Sequence, residues 1–250
     1  MILCELRDYN MAKIVISDLH LQENRPQISD LFLNFLKNDA KHAEALYILG
    51  DFFESWIGDD DDSPFHKQII SALKTQTTLG LPIYFMRGNR DFLIGKRFLK
   101  ATGCQPLPDE FVANMYGIPT LMMHGDTLCT QDVKYLKFRK KARNWFMQKL
   151  FLLKPLKTRQ AMVKKYRDAS KEHVSTLPLH IMDVTQSEVL QVMQKHQVSH
   201  LIHGHTHRQA IHHFDDNHKK YTRTVLGAWH DQGNAFIFKP SGNNEFVDII

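Results

Sequence analysis

Seven polar side chains that could hold metal ions stand just beyond short apolar runs of the chain: Asp18, His20, Asp51, Asn89, His124, His205 and His207. Asp18 and His20 form an Asp-x-His pair, and Asp51 follows Gly50. Asn89 lies in Gly88-Asn89-Arg90-Asp91, His124 opens His124-Gly125-Asp126, and the last pair sits in Gly204-His205-Thr206-His207. The set offers two carboxylates, four imidazoles and one amide oxygen, with no thiolate. Mixed oxygen and imidazole donors suit Mn²⁺, Fe or Zn²⁺ better than Cu(I) or an iron–sulfur cluster. Seven donors are too many for one tetrahedral ion. They suit two ions that share a bridging carboxylate and leave positions for water and substrate. Two metals about 3.5–4 Å apart can clamp the attacking and leaving oxygens of a phosphoryl displacement and acidify a shared water.

Each motif alone is weak evidence. Gly-Asn-x-Asp is equally at home in a turn, and isolated histidines such as His42 or His66 read as surface residues. The order of the motifs is what carries weight. Apolar runs at 13–17, 45–49, 82–86, 119–123 and 198–202 read as strands, and each ends at one of them. Helices are expected over 29–38, 65–78, 94–101 and 187–196, with shorter strands near 209–214, 221–226 and 235–239. Strands alternating with helices, then a strand-rich end, imply an α/β fold with two packed sheets. Ligands in open α/β sheets bind beyond the carboxyl ends of the strands, so five strand ends would bring the seven side chains into one crevice.

Composition bounds the rest. Of 250 residues, 43% are hydrophobic and 24% charged, which excludes a disordered or low-complexity chain. No run approaches the roughly 20 apolar residues that span a bilayer. The first residues lack the basic start and apolar core of a secretory leader. Three scattered cysteines (Cys4, Cys104, Cys129) argue against a disulfide framework and for a reducing cytoplasm.

The charge is uneven. Residues 133–172 hold 14 Lys or Arg against two acids, so this segment carries +12 and the remainder −7 within a total of +5. It contains no Gly and one Pro, Pro155, and reads as two amphipathic helices joined near Lys154-Pro155. Such a hairpin could approach an anionic lipid or substrate head group. It could equally be a solvated helix face whose aromatics pack onto the body. No nucleic-acid module is visible, and none is expected as a partner.

With these motifs in place, the chain resembles the calcineurin-like metallophosphoesterases. Within them it is similar to the UDP-2,3-diacylglucosamine hydrolases of lipid A biosynthesis, through ISDLHL (16–21), YILGDFFESWIGDD (47–60), GNRDFLIG (88–95), MDV (182–184), HGHTHR (203–208) and LGAWH (226–230). The resemblance implies an αββα two-sheet sandwich with an inserted helical lid. Residues 12–131 and 181–250 would form the core, 132–180 the lid and 1–11 an N-terminal extension. It implies two Mn²⁺ ions, one on Asp18, His20, Asp51 and His207, the other on Asp51, Asn89, His124 and His205, with Asp51 bridging. Water would attack the α-phosphorus of UDP-2,3-diacylglucosamine, giving UMP and 2,3-diacylglucosamine 1-phosphate, at the cytoplasmic face of the inner membrane. Asp51, Asn89 and Arg90 would be catalytic, and Asn89, Arg90, Asp132, Ser170 and His205 would contact substrate. Arg90 replaces the His of many relatives; an arginine stays protonated, so its expected role is a fixed charge on phosphate oxygens. Val174 and Leu177 stand where the family has a polar Asn and Lys. A phosphoesterase for another nucleotide diester or pyrophosphate, a non-catalytic scaffold of the same fold, and a peripheral nucleic-acid binder using the basic segment are the rival readings.

Overall fold

The computed structural model describes residues 11–175, 178 and 181–250. The first half of the chain alternates strands and helices: β1 (Lys13–Ile16), α1 (Pro26–Asn38), β2 (Ala45–Leu49), α2 (Pro64–Thr78), β3 (Ile83–Met86), α3 (Lys96–Thr102) and β4 (Gln105–Pro106). Proline begins α1 and α2, where its missing N–H costs nothing, and Ser63 caps α2 through the amide of His66. Strands β5 (Glu110–Met115) and β6 (Ile118–Met123) follow. Then come the insert helices α4 (Val133–Ala142), α5 (Trp145–Leu152) and α6 (Leu156–Ser175). The chain closes with α7 (Gln186–Lys195), β7 (His200–His203), β8 (Ala210–Asp216), β9 (Lys219–Val225), β10 (Gly233–Phe238) and β11 (Glu245–Ile249).

Two sheets result, ordered β11-β10-β1-β2-β3-β4 and β5-β6-β7-β9-β8. β1, β2 and β3 are parallel, as are β6, β7 and β9. Alternation along the strands separates three apolar cores. Ile14 and Ile16 face outward to Phe32 and Phe35 of α1, Leu73 of α2 and Phe98 of α3. Val15, Tyr47, Leu49 and Met86 face inward to Met122, Ile202 and Leu226 of the second sheet. Leu121, Met123 and Leu201 of that sheet meet Val189, Val192 and Met193 of α7. Helices, sheet, sheet, helix is the expected four-layer αββα order. Strands buried on both faces explain the continuous apolar runs.

The elements depart from the sequence expectations in three places. β4, β5 and β11 depart from the expected strands: Ala113 and Asn114 are poor strand formers, yet β5 pairs along its whole length with β6 across a two-residue turn in which Tyr116 and Gly117 both have positive φ. The insert holds three helices, not two, because Asn144 interrupts the first; its Oδ1 accepts from the amides of Phe146 and Met147 and starts α5. His66 is buried against Trp56 and Phe53, not at the surface.

Four arginines seat the insert on the acidic body. Arg139 reaches Asp126 and Asp109, and Arg143 reaches the carbonyl of Gly88 at 2.9 Å. Arg159, 1% exposed, bonds the carbonyls of Ile57 and Lys154 and pairs with Asp60. Gly58 (φ +140°) lies under that guanidinium, and a Cβ there would also come within 2.7 Å of Asp60 Oδ1. Arg167 pairs with Glu54. The apolar side chains do less of this docking: Trp145, Phe146, Leu150 and Leu153 are exposed, and among the described residues of the insert only Phe151 packs on the main core. Among the described residues, no helix is long and apolar enough to cross a membrane.

Candidate metal centre

The ends of β1, β2, β3, β6 and β7 converge, and the loops beyond them are held by backbone bonds. Asp18 N donates to Gly50 O, His20 N to Asp51 O, Gly204 N to His124 O and Trp229 N to Asp18 O, all within 3.1 Å. The chain makes these turns by taking the left-handed conformation at Asp18, His20, Asp51, His205 and His207 (φ +50° to +69°). Non-glycine residues rarely adopt it, at about 1–3 kcal/mol each, and such strain gathers at functional sites. Close backbone approach also fixes two motif glycines. A Cβ on Gly88 would collide with Asp51, and one on Gly204 with Asp18 and Ser17.

The seven side chains form two adjoining groups. Asp18, His20 and His207 offer donor atoms within 4.8 Å of one another, and so do Asp51, His124 and His205. His207 Nε2 lies 3.3 Å from Asp18 Oδ1 and 3.3 Å from His20 Nε2. Asp51 stands between the groups, with Oδ1 3.5 Å from His124 Nε2 and Oδ2 4.0 Å from His20 Nε2. Asn89 Oδ1 lies 2.8 Å from both His124 Nε2 and His205 Nδ1.

The donor set fits a cation. His124 Nδ1 sits 2.9 Å from the carbonyl of Leu49, which can only accept, so Nδ1 carries the proton. His124 Nε2 faces the acceptor oxygens of Asn89 and Asp51, and although burial opposes its charge, the carboxylates of Asp51, Asp18 and Asp126 raise its pKa, so this point of the crevice calls for a positive charge. Asp18 Oδ2 accepts from Ser17 Oγ (2.6 Å) and His205 N (2.9 Å), while its buried Oδ1 faces His207 Nε2 at 3.3 Å. Lone pairs turned on one another in a dry crevice are costly unless a positive charge lies between them. Burial pushes His205 down to about 4, with the charge of His124 acting in the same direction, so its ring is neutral, as a ligand must be. Burial opposes ionisation of Asp18, but the hydrogen bond with His207 and the charges of His124, His207 and His20 hold its carboxyl well below the usual range.

Arg90 borders this crevice. Its backbone N–H donates to Asp51 Oδ1 at 2.8 Å, and its buried Nε, 3.7 Å from Asp51 Oδ2, has no hydrogen-bond partner. Tyr166 of α6 is pushed up to about 12, chiefly by burial, with the charges of Arg90 and Asp132 acting on it in opposite directions. Asp132 caps α4 through the amide of Tyr135, and Ser170 is half-buried on α6. Leu177 and the side chain of Val174 lie outside the described residues, as do residues 1–10.

A calcineurin-like phosphoesterase family model matches residues 11–209. The chain belongs to the calcineurin-like phosphoesterase family. A UDP-2,3-diacylglucosamine hydrolase of Photobacterium profundum is 48% identical over 232 residues, covering 93% of this chain and 95% of that protein. A UDP-2,3-diacylglucosamine hydrolase of Escherichia coli O7:K1 is 50% identical over 224 residues, covering 90% of this chain and 93% of its own.

Reading the sequence alone missed the supports of this phosphoesterase site. Asp91 is fully buried; Oδ1 accepts from Gly88 N (2.7 Å) and Oδ2 from Phe52 N (2.8 Å), so one carboxylate fastens the Asn89 loop to the Asp51 loop. Burial and the Asp51 charge raise it to about 6, so it is still mostly ionised at neutral pH. Asp126 accepts from Tyr135 Oη (2.5 Å) and Arg139 Nε (2.6 Å), and the Tyr135 ring lies 6.1 Å from that of His205. Asp91 was visible as the last residue of Gly88-Asn89-Arg90-Asp91. Asp126 gave no signal beyond its place two residues after His124.

Proposed function

We propose that this chain hydrolyses the pyrophosphate bond of UDP-2,3-diacylglucosamine, releasing UMP and 2,3-diacylglucosamine 1-phosphate. The observation that carries the reading is the pair of donor groups joined at Asp51, in a chain 48–50% identical, over 90–93% of its length, to hydrolases of that name.

One divalent cation would be held by Asp18, His20, Asp51 and His207, and a second by Asp51, Asn89, His124 and His205. Bound there, such a pair acidifies a shared water and neutralises phosphate oxygens, and Mn²⁺ suits the donors. The chain's own groups do the rest. The Leu49 carbonyl fixes the His124 tautomer, and the Asp91 clamp fixes the distance between Asp51 and Asn89. Arg90 offers a permanent charge with an unused Nε donor at the rim of the crevice, placed to bind phosphate oxygens and hold the developing charge. It cannot serve as a general acid. Asn89 and His205 would meet substrate from the core side, Asp132 and Ser170 from the insert.

Residues 132–180 would act as a lid, with the acyl chains lying toward α5. The exposed Trp145, Phe146, Leu150 and Leu153, flanked by Lys149, Lys154 and Lys157, support reversible attachment to the cytoplasmic face of the inner membrane.

The test is a release assay on UDP-2,3-diacylglucosamine in detergent with Mn²⁺, using Asp51→Asn as control. UMP and the acylated sugar phosphate should appear with the wild-type protein alone. Cleavage of a small nucleotide diester without UMP release from the lipid would keep the phosphoesterase chemistry and discard the substrate.

A further inference from the structure

Arg167 differs from the other three docking arginines in what its partner touches. The Glu54 carboxylate is shared: Oε1 pairs with Arg167 of α6, and Oε2 lies at ion-pair distance, 3.0 Å, from His20 Nδ1 without the alignment of a hydrogen bond. The other nitrogen of the same imidazole, Nε2, faces His207 and Asp51 in the crevice. Glu54 is itself tied to the site, because its N–H donates to Leu21 O and Leu21 N donates to Phe52 O. The three side chains form an unbroken line from the insert to the candidate centre, and all three are largely shielded from solvent.

We propose that Arg167, Glu54 and His20 couple the seating of α6 to the metal centre, with Glu54 and Arg167 as positioning residues. The proposal rests on the reading of His20 as a ligand. A carboxylate on the far nitrogen of a ligating histidine fixes the ring's orientation and raises its basicity, and its loss typically costs about 10–100-fold in metal affinity. Glu54 has a flexible stem, and Arg167 supplies the fork that holds it. With α6 seated, Glu54 is locked and His20 is aimed. With α6 lifted, Glu54 turns to water and His20 loses its brace. Linkage makes the effect reciprocal: whatever factor a seated helix adds to metal affinity, bound metal adds to seating. Arg159 anchors the same helix to Ile57 and Asp60 and touches no candidate ligand, which gives an internal control.

The experiment measures Mn²⁺ affinity by calorimetry and hydrogen exchange along α6 with EDTA or Mn²⁺, both without substrate. Thermal melts verify that each variant is folded. Glu54→Gln should weaken Mn²⁺ binding at least about 10-fold. Arg167→Ala should weaken it several-fold, with part of the loss restored in Arg167→Lys. Adding Arg167→Ala to Glu54→Gln should cost nothing further. Mn²⁺ should slow exchange in α6 of the wild type but not of Glu54→Gln. Arg159→Ala should speed exchange in α6 and leave Mn²⁺ affinity within about twofold. Wild-type affinity in Arg167→Ala, or an equal loss in Arg159→Ala, would overturn the coupling while the metal centre stood. A wild-type protein that binds no Mn²⁺ would overturn the metal centre and the coupling with it.

Discussion

His124, at the end of β6 in one sheet, donates its Nδ1–H at 2.9 Å to the carbonyl of Leu49, at the end of β2 in the other. The bond joins the sheets at the point where the two donor groups meet, and it turns Nε2 toward Asp51 and Asn89. His124→Ala should therefore do two things. Mn²⁺ stoichiometry should fall from two to one with turnover down by more than about 100-fold, and the stranded Leu49 carbonyl should cost about 1–3 kcal/mol of stability. Calorimetric titration beside a urea melt separates the two. Two bound ions in the variant would remove His124 from the centre.

Asp126 fixes the acid limb of stability. Burial works against its charge, but His124, Arg139 and His205 outweigh burial and hold it well below its ordinary 3.8. The unfolded chain takes up the proton near 3.8, and the folded chain only at lower pH. The stabilisation is thus complete above about pH 4 and is lost as pH falls through the folded value. Asp126→Asn removes the buried partner of Arg139 Nε, leaves Arg139 its pairing with the exposed Asp109, and should cost about 1.5–3 kcal/mol at pH 7. Urea midpoints in EDTA should show the gap between variant and wild type closing as pH drops below 4. A gap independent of pH would mean that packing, not charge, is lost.

The candidate centre was legible in sequence because its chemistry is written locally. Each ligand lies within a few residues of a strand end, and parallel strands collect such ends on one side. The supports were not legible. Glu54 touches His20 only because the loop after β2 runs beside the loop after β1, and Arg167 reaches Glu54 across 113 residues. The insert's charge was visible while its use was not. Arg139, Arg143, Arg159 and Arg167 turn to the acidic body, a division between arginines and lysines that composition cannot convey. The apolar spacing of the insert's first helix continues past Asn144 and implies an unbroken element, but there a capping side chain overrides periodicity.

Asp91 should act on the centre through backbone alone. Its two oxygens each accept from a different loop, and an amide has only one acceptor to offer. Asp91→Asn turns an NH₂ toward Gly88 N or Phe52 N and leaves a buried N–H unmatched, a loss of about 1–3 kcal/mol. The Asp51 and Asn89 loops then part, so weaker binding of Mn²⁺ should accompany the lower melting temperature. Asp91→Asn with full Mn²⁺ affinity and only a lower melting point would limit the residue to a structural role.

The exposed face of α5 has its own test. Trp145 is 65% exposed, Phe146 54% and Leu153 82%, and burying one such side chain contributes about 1.5–3 kcal/mol. A tenfold change in partition is about 1.4 kcal/mol. Replacing all three by serine should therefore reduce sedimentation with phosphatidylglycerol–phosphatidylethanolamine vesicles by well over 10-fold. The melting temperature should hold, because these side chains support little of the core. Raising salt should weaken the remaining attachment, since Lys149, Lys154 and Lys157 act through screened charge. Equal sedimentation of variant and wild type would move the membrane contact away from α5, and retention that survives high salt would exclude the lysines as its source.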